Sequence, residues 1–105
     1  KMSGLLFCTN EDFFIQNIKD QNILSCNING FTFLLFYSNQ CKHCKNLVPI
    51  FKSLPGTING CKFGMINISK NKEIIKKSIN STTEIKYVPL MILYMLNKKI
   101  LNLNY

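Results

Sequence analysis

The chain has no arginine and no tryptophan, a single histidine, and only five acidic residues among 105. Its net charge of +8 therefore rests on lysine alone. Lysine is a point charge, whereas arginine offers a planar fork of donors that matches guanine edges and phosphates in pairs. A dedicated nucleic-acid face is not expected, and the charge reads as a solvated surface suited at most to an acidic partner. Zinc requires four ligands, and the one histidine, His43, lies between two cysteines where it cannot readily complete a site with them. No metal or other cofactor is expected. No apolar run reaches the roughly 20 residues of a membrane-spanning helix, so no membrane association is expected either. Lys1 to Asn10 lacks the apolar core and cleavage site of a secretory leader. That favours a cytoplasmic or virion-associated protein over a secreted one, with the compartment otherwise open.

What is present is an apolar share of 47% against a charged share of 17%, the balance of a globular chain. Its length suits one domain, residues 1–105, with a real core. Asn, Ile and Lys are abundant, the signature of an AT-rich genome such as that of a large DNA virus or a protist. The five cysteines are an odd count. Cys41 and Cys44 pair by spacing, which leaves Cys8, Cys26 and Cys61 scattered. A stapled secreted scaffold is denser in cysteine, so these three are expected as small buried apolar residues. A second disulfide, an intermolecular link or a regulatory thiol are the alternatives.

Leu5 to Cys8 reads as a first strand. Thr9 or Asn10 then serves as an N-cap, with Glu11 and Asp12 in the first turn. Phe13, Phe14, Ile15 and Ile18 form the apolar stripe of a helix reaching about Lys19, and Asp20 to Gly30 reads as helix end, loop and turn. Phe31 to Tyr37 is almost continuously apolar, as in a central strand covered on both faces. After Cys44, a helix buries Leu47, Val48, Ile50, Phe51 and Leu54, kinked at Pro49 and stopped at Pro55-Gly56. A strand over Cys61–Ile68 and a short basic helix over Glu73–Ile79 follow, with Ile74, Ile75 and Ile79 inward. A strand over Leu90–Leu96 and a last one from Ile100 to about Leu103 complete the chain. Phe36, Tyr37, Met91 and Met95 are assigned to the core. The order β-α-β-α-β-α-β-β implies an α/β fold, a central mixed sheet flanked by helices.

The chemistry concentrates in Cys41-Lys42-His43-Cys44, between a buried strand and a helix. Two cysteines at this spacing close a small disulfide ring with little backbone movement. The first sulfur sits over the free amide N–H groups of the helix start, where negative charge is favoured. Cys41 reads as the attacking thiolate and Cys44 as the buried resolving thiol. A charged His43, with Lys42 beside it, stabilises the Cys41 thiolate and so raises the reduction potential. The structural alternatives are a static disulfide, half a zinc site, and an exposed histidine without effect.

The run Cys-x-His-Cys-Lys-x-Leu-x-Pro-x-Phe, Cys41 to Phe51, is similar to the active-site helix of protein disulfide isomerase domains. Phe63-Gly-Met-Ile-Asn-Ile resembles the third strand of the thioredoxin superfamily, and Lys86-Tyr-Val-Pro89 its cis-proline loop. The resemblance covers most of the chain and implies a thioredoxin-like fold. It further implies a thiol–disulfide oxidoreductase, of isomerase, oxidase or reductase type, acting on protein dithiols and disulfides with an upstream redox partner. Val88 and Pro89, with Gln40 and Lys42 beside Cys41, are the implied substrate contacts. Three departures stand out. Gln40 replaces the usual tryptophan, Leu35 replaces a buried acid that serves the resolving cysteine, and the sequence stops at Tyr105 before the family's C-terminal helix, so either it is a truncated piece or something else covers that sheet face. An uncovered apolar sheet face there favours self-association. Gln40 and Leu35 keep a rival open, a redox-weak docking module. A metal or cluster bridging two chains through Cys41 and Cys44 is a second, and the Gly-Gly of a glutaredoxin is missing.

Overall fold

In the computed structural model, which describes residues 4–96, β1 (Leu5–Phe7) leads through a 3-10 turn (Asn10–Asp12) into β2 (Phe13–Ile18) and β3 (Gln21–Cys26). Then follow β4 (Gly30–Tyr37), α1 (Lys42–Lys52), β5 (Cys61–Asn67), α2 (Glu73–Ser78) and β6 (Leu90–Leu96). Four strands form one mixed sheet in the order β1-β5-β4-β6, with β6 antiparallel to β4 and the others parallel. Parallel neighbours need a long crossover, and α1 supplies it between β4 and β5. This is the expected α/β architecture with a mixed central sheet.

β4 is central because its sequence is apolar on both faces. Leu34 and Phe36 pack with Ile66, Ile74 and Phe13 on one side. Leu35 packs with Phe51, Phe63 and Met65 on the other, beneath α1. The exception is Thr32, whose buried Oγ1 finds no hydrogen-bond partner among the described residues. An unsatisfied buried hydroxyl costs about 1–3 kcal/mol. Thr32→Val keeps the shape and removes the hydroxyl, so it should raise the stability measured by urea unfolding by about 1 kcal/mol.

The helix expected over Phe13–Lys19 is a hairpin instead. The cap forms as read: the Thr9 N–H donates to Asp12 Oδ2 at 2.8 Å and the Thr9 hydroxyl to Glu11 Oε1 at 2.8 Å. The helix ends after that one turn. Lys19 and Asp20 take left-handed φ values of 52° and 65°, a two-residue reversal that sets Ile18 opposite Gln21 and pairs β2 with β3. A lone helix of this length is marginal, whereas the hairpin satisfies its backbone and buries Phe13 against Phe36 and Tyr94, centroids 5.8 and 6.3 Å away.

Three further expectations are corrected. Ile79 lies beyond the end of α2 in extended backbone and is exposed, so the helical stripe no longer governs it. Ile50 is exposed because the sheet takes up only the side of α1 that carries Leu47, Val48 and Phe51. Met91 and Met95 are exposed rather than core. They oppose Leu35 and Phe31 on the sheet face shared with α1, but α1 stands over β4 and β5 and leaves the β6 side bare among the described residues. Leu93, 57% exposed, and Phe31 line an apolar hollow there of about 380 Å³. The strand expected at Ile100 to Leu103 lies outside the described residues. No helix among those residues is long and apolar enough to cross a membrane.

Candidate active site

Because β4 and β5 are parallel, the loops leaving their C-terminal ends lie side by side, the place where open α/β sheets build sites. Here the two loops are tied together. The Asn39 N–H donates to Ser69 Oγ at 3.0 Å, Asn67 Nδ2 to Asn39 Oδ1 at 2.9 Å, and Ser69 Oγ to Gln40 Oε1 at 3.5 Å. The Ile68 N–H reaches Tyr37 O at 2.8 Å across the strands. Nothing in the sequence alone marks Asn39, Asn67 or Ser69 as site residues. Asn and Ser after an apolar strand are ordinary turn formers, and only their meeting across two loops marks them.

This platform delivers the chain to α1. Cys41 is the N-cap, with extended φ and ψ of −82° and 113°, and its Sγ accepts the Cys44 N–H at 3.1 Å. A sulfur thus takes the place that a Ser or Asp oxygen fills in most caps. Cys41 and Cys44 are joined as a disulfide, their Cα atoms 5.1 Å apart. Cys41 is half-buried at the surface, while Cys44 is fully buried beneath it. Lys42 and His43 are exposed on the first turn, as is Gln40 before it.

The loop ahead of β6 closes the site from the other side. Val88 O lies 3.6 Å from Cys41 Sγ, and the Val88–Pro89 bond is cis. The disulfide sulfur has no proton, but a reduced Cys41 thiol there has Val88 O as an acceptor. The fold therefore gathers Gln40, Cys41, Lys42, His43, Cys44, Val88 and Pro89 in one place, although almost half the chain separates the two loops.

The electrostatics are one-sided. None of the five acidic residues lies on β4, α1 or β5. Leu35 is fully buried among Phe51, Phe63 and Met65, so the sheet presents hydrocarbon below α1. Lys42, His43 and Lys45 all lie on the first turn of α1, whose free amide groups favour negative charge at Cys41.

The sequence profile of the Thioredoxin family matches residues 8–104. The chain belongs to the thioredoxin family. Uncharacterized protein 196R of Invertebrate iridescent virus 6 is 38% identical over 100 residues, covering 89% of this chain and 58% of that protein. Uncharacterized protein 020R of Invertebrate iridescent virus 3 is 32% identical over 97 residues, covering 87% of this chain and 57% of that protein. The chain thus spans somewhat more than half the length of both viral relatives. Among solved structures, the first thioredoxin domain of mouse protein disulfide-isomerase A4 superimposes with a TM-score of 0.51 at 15% identity. That match covers 82% of this chain and 66% of the mouse chain, and it speaks to the fold alone. A thioredoxin fold carrying a closed Cys-x-x-Cys pair is the framework of a thiol–disulfide oxidoreductase.

Proposed function

We propose that this thioredoxin-family protein exchanges disulfides with protein substrates in the manner of an isomerase or oxidase. The observation that supports the reading is the half-exposed Cys41 sulfur at the start of α1, bridged to a buried Cys44. In the reducing direction the Cys41 thiolate attacks a substrate disulfide and releases one substrate thiolate. Cys44 then loses its proton, attacks the Cys41 sulfur and releases the second substrate thiolate. Two electrons pass to the substrate, and the Cys41–Cys44 disulfide forms again; the oxidising direction is the reverse. With no carboxylate on β4, α1 or β5, the Cys44 proton goes to water or to the departing substrate thiolate.

Gln40 and Lys42 flank the attacked sulfur, and Val88 offers main chain for an extended substrate segment. The deciding measurement is the reduction potential of the Cys41–Cys44 pair in glutathione buffers. Superfamily values run from about −270 mV in thioredoxin to about −120 mV in a strong oxidase. A value near −200 mV or above supports the isomerase or oxidase direction; one near −270 mV turns the reading toward a reductase. A charged His43 stabilises the reduced thiolate. His43→Ala should therefore lower the potential by about 30 mV, a tenfold change in the exchange constant. An unchanged potential would remove His43 from the machinery.

Leu35 supports a second reading. A site with no buried acid passes protons slowly, which suits a module that docks protein partners and turns over weakly. Partner binding that survives Cys41→Ser would favour it.

A further inference from the structure

Two of the remaining cysteines meet. Cys8 lies just past β1, its N–H bonded to Met65 O at 2.8 Å. Cys26 ends β3 opposite Phe13. Between them the chain folds back, and the Asn27 N–H donates to Asp12 O at 2.7 Å, holding the end of β3 against the 3-10 turn. Both thiols are buried in the same cluster, and each is the strongest influence on the other's ionisation. That cluster packs on Leu34 and Phe36, the sheet face opposite α1, so the pair is separate from Cys41–Cys44.

The surroundings make room for the Cys8 sulfur and open a way to it. A Cβ at Gly64 would come within 3.4 Å of Cys8 Sγ and 2.5 Å of Leu34 Cδ1, so the bare glycine leaves the space Cys8 occupies. Cys8 also lines a surface hollow of about 380 Å³ with Leu6, Asp12, Ile28 and Lys62, an opening toward solvent. The Cys8 side chain lowers the Cys26 thiol, while Cys26 and burial push the Cys8 thiol up.

We propose that Cys8 and Cys26 are a second redox-active dithiol, whose oxidation by a small disulfide such as glutathione disulfide ties the β2–β3 hairpin to the end of β1. A thiolate of the pair attacks glutathione disulfide and releases one glutathione thiolate, which takes up a proton. The second cysteine loses its proton and displaces the other glutathione. Two electrons pass to glutathione disulfide, giving two molecules of glutathione and one intrachain disulfide. The new loop encloses the 3-10 turn, β2 and β3, so it restrains the unfolded chain and stabilises the fold.

The test is equilibration of the fully reduced protein across glutathione buffers, followed by acid quench, unfolding, alkylation with N-ethylmaleimide and intact mass. Alkylation should fall from five thiols to three as Cys41–Cys44 closes, then to one at Cys61, with a digest peptide joining Cys8 to Cys26. Cys8→Ala should remove the second step and leave the first. In a Cys41→Ser, Cys44→Ser background, oxidation should raise the unfolding midpoint by about 10 °C. Cys8 and Cys26 that stay alkylated even in glutathione disulfide alone, that carry glutathione without linking, or that pair with Cys61 would overturn the proposal. None of these results depends on whether Cys41–Cys44 turns over substrate.

Discussion

Cys41→Ser is expected to abolish disulfide turnover, lowering the rate of insulin reduction by dithiothreitol or of scrambled-substrate refolding by more than about 1000-fold. The serine oxygen can still cap α1 by accepting the Cys44 N–H, so the fold should survive and the loss should be chemical. Cys44→Ser has a different signature. Attack by Cys41 still occurs, but no thiol lies behind it to release the product, so a mixed disulfide accumulates. Mass spectrometry after mixing with a disulfide peptide checks both at once: an adduct on Cys41 in Cys44→Ser and none at that position in Cys41→Ser. Equal turnover by Cys41→Ser and the unaltered protein would end the oxidoreductase reading and leave the docking module.

Phe51→Ala is the second large effect, and it acts through packing. Phe51 is almost fully buried on the inner side of α1. Its ring lies 5.8 Å from Phe33 and 5.9 Å from Phe63, centroid to centroid. Truncating such a side chain removes apolar burial and opens a cavity, a cost of about 3–5 kcal/mol. A small domain has about 5–15 kcal/mol in all, so much of the native margin goes. The same contact holds the helix that carries Cys41 and Cys44, so loosening α1 should also slow exchange in molecules that remain folded. Urea unfolding gives the first number, and exchange rate per folded molecule the second. A loss under 1 kcal/mol would mean that Leu47, Val48 and Leu54 alone hold α1 to the sheet.

Phe31–Tyr37 was legible because an unbroken apolar run fits only a strand covered on both faces or a buried helix, and its length favours the strand. Phe13–Ile18 looks helical in sequence because Phe13, Phe14 and Ile18 fit a helical stripe, while the run Phe13-Phe14-Ile15 hides any strand alternation. The turn that decides it, Lys19-Asp20, carries none of the Asn-Gly chemistry that marks a two-residue hairpin. Met91 and Met95 were misplaced for another reason. Alternation says which residues share a face, but not whether anything covers that face.

By itself the sequence determined the Cys41–Cys44 pair, the strand before it and the helix it opens, since each is written in neighbouring residues. Capping, periodicity and Cys-x-x-Cys spacing act over one or two turns of chain. The resemblance implied the cis-proline loop beside Cys41, but only the tertiary structure decided how that meeting is made and what lies near Cys8. Val88 reaches Cys41 from the far loop, Asn39 finds Ser69 across parallel strands, and Cys26 comes to Cys8 through a hairpin that the local pattern disguised. Such meetings depend on sheet order and on the direction of each crossover, which arise from burying both faces of β4 at once rather than from any one segment's residues.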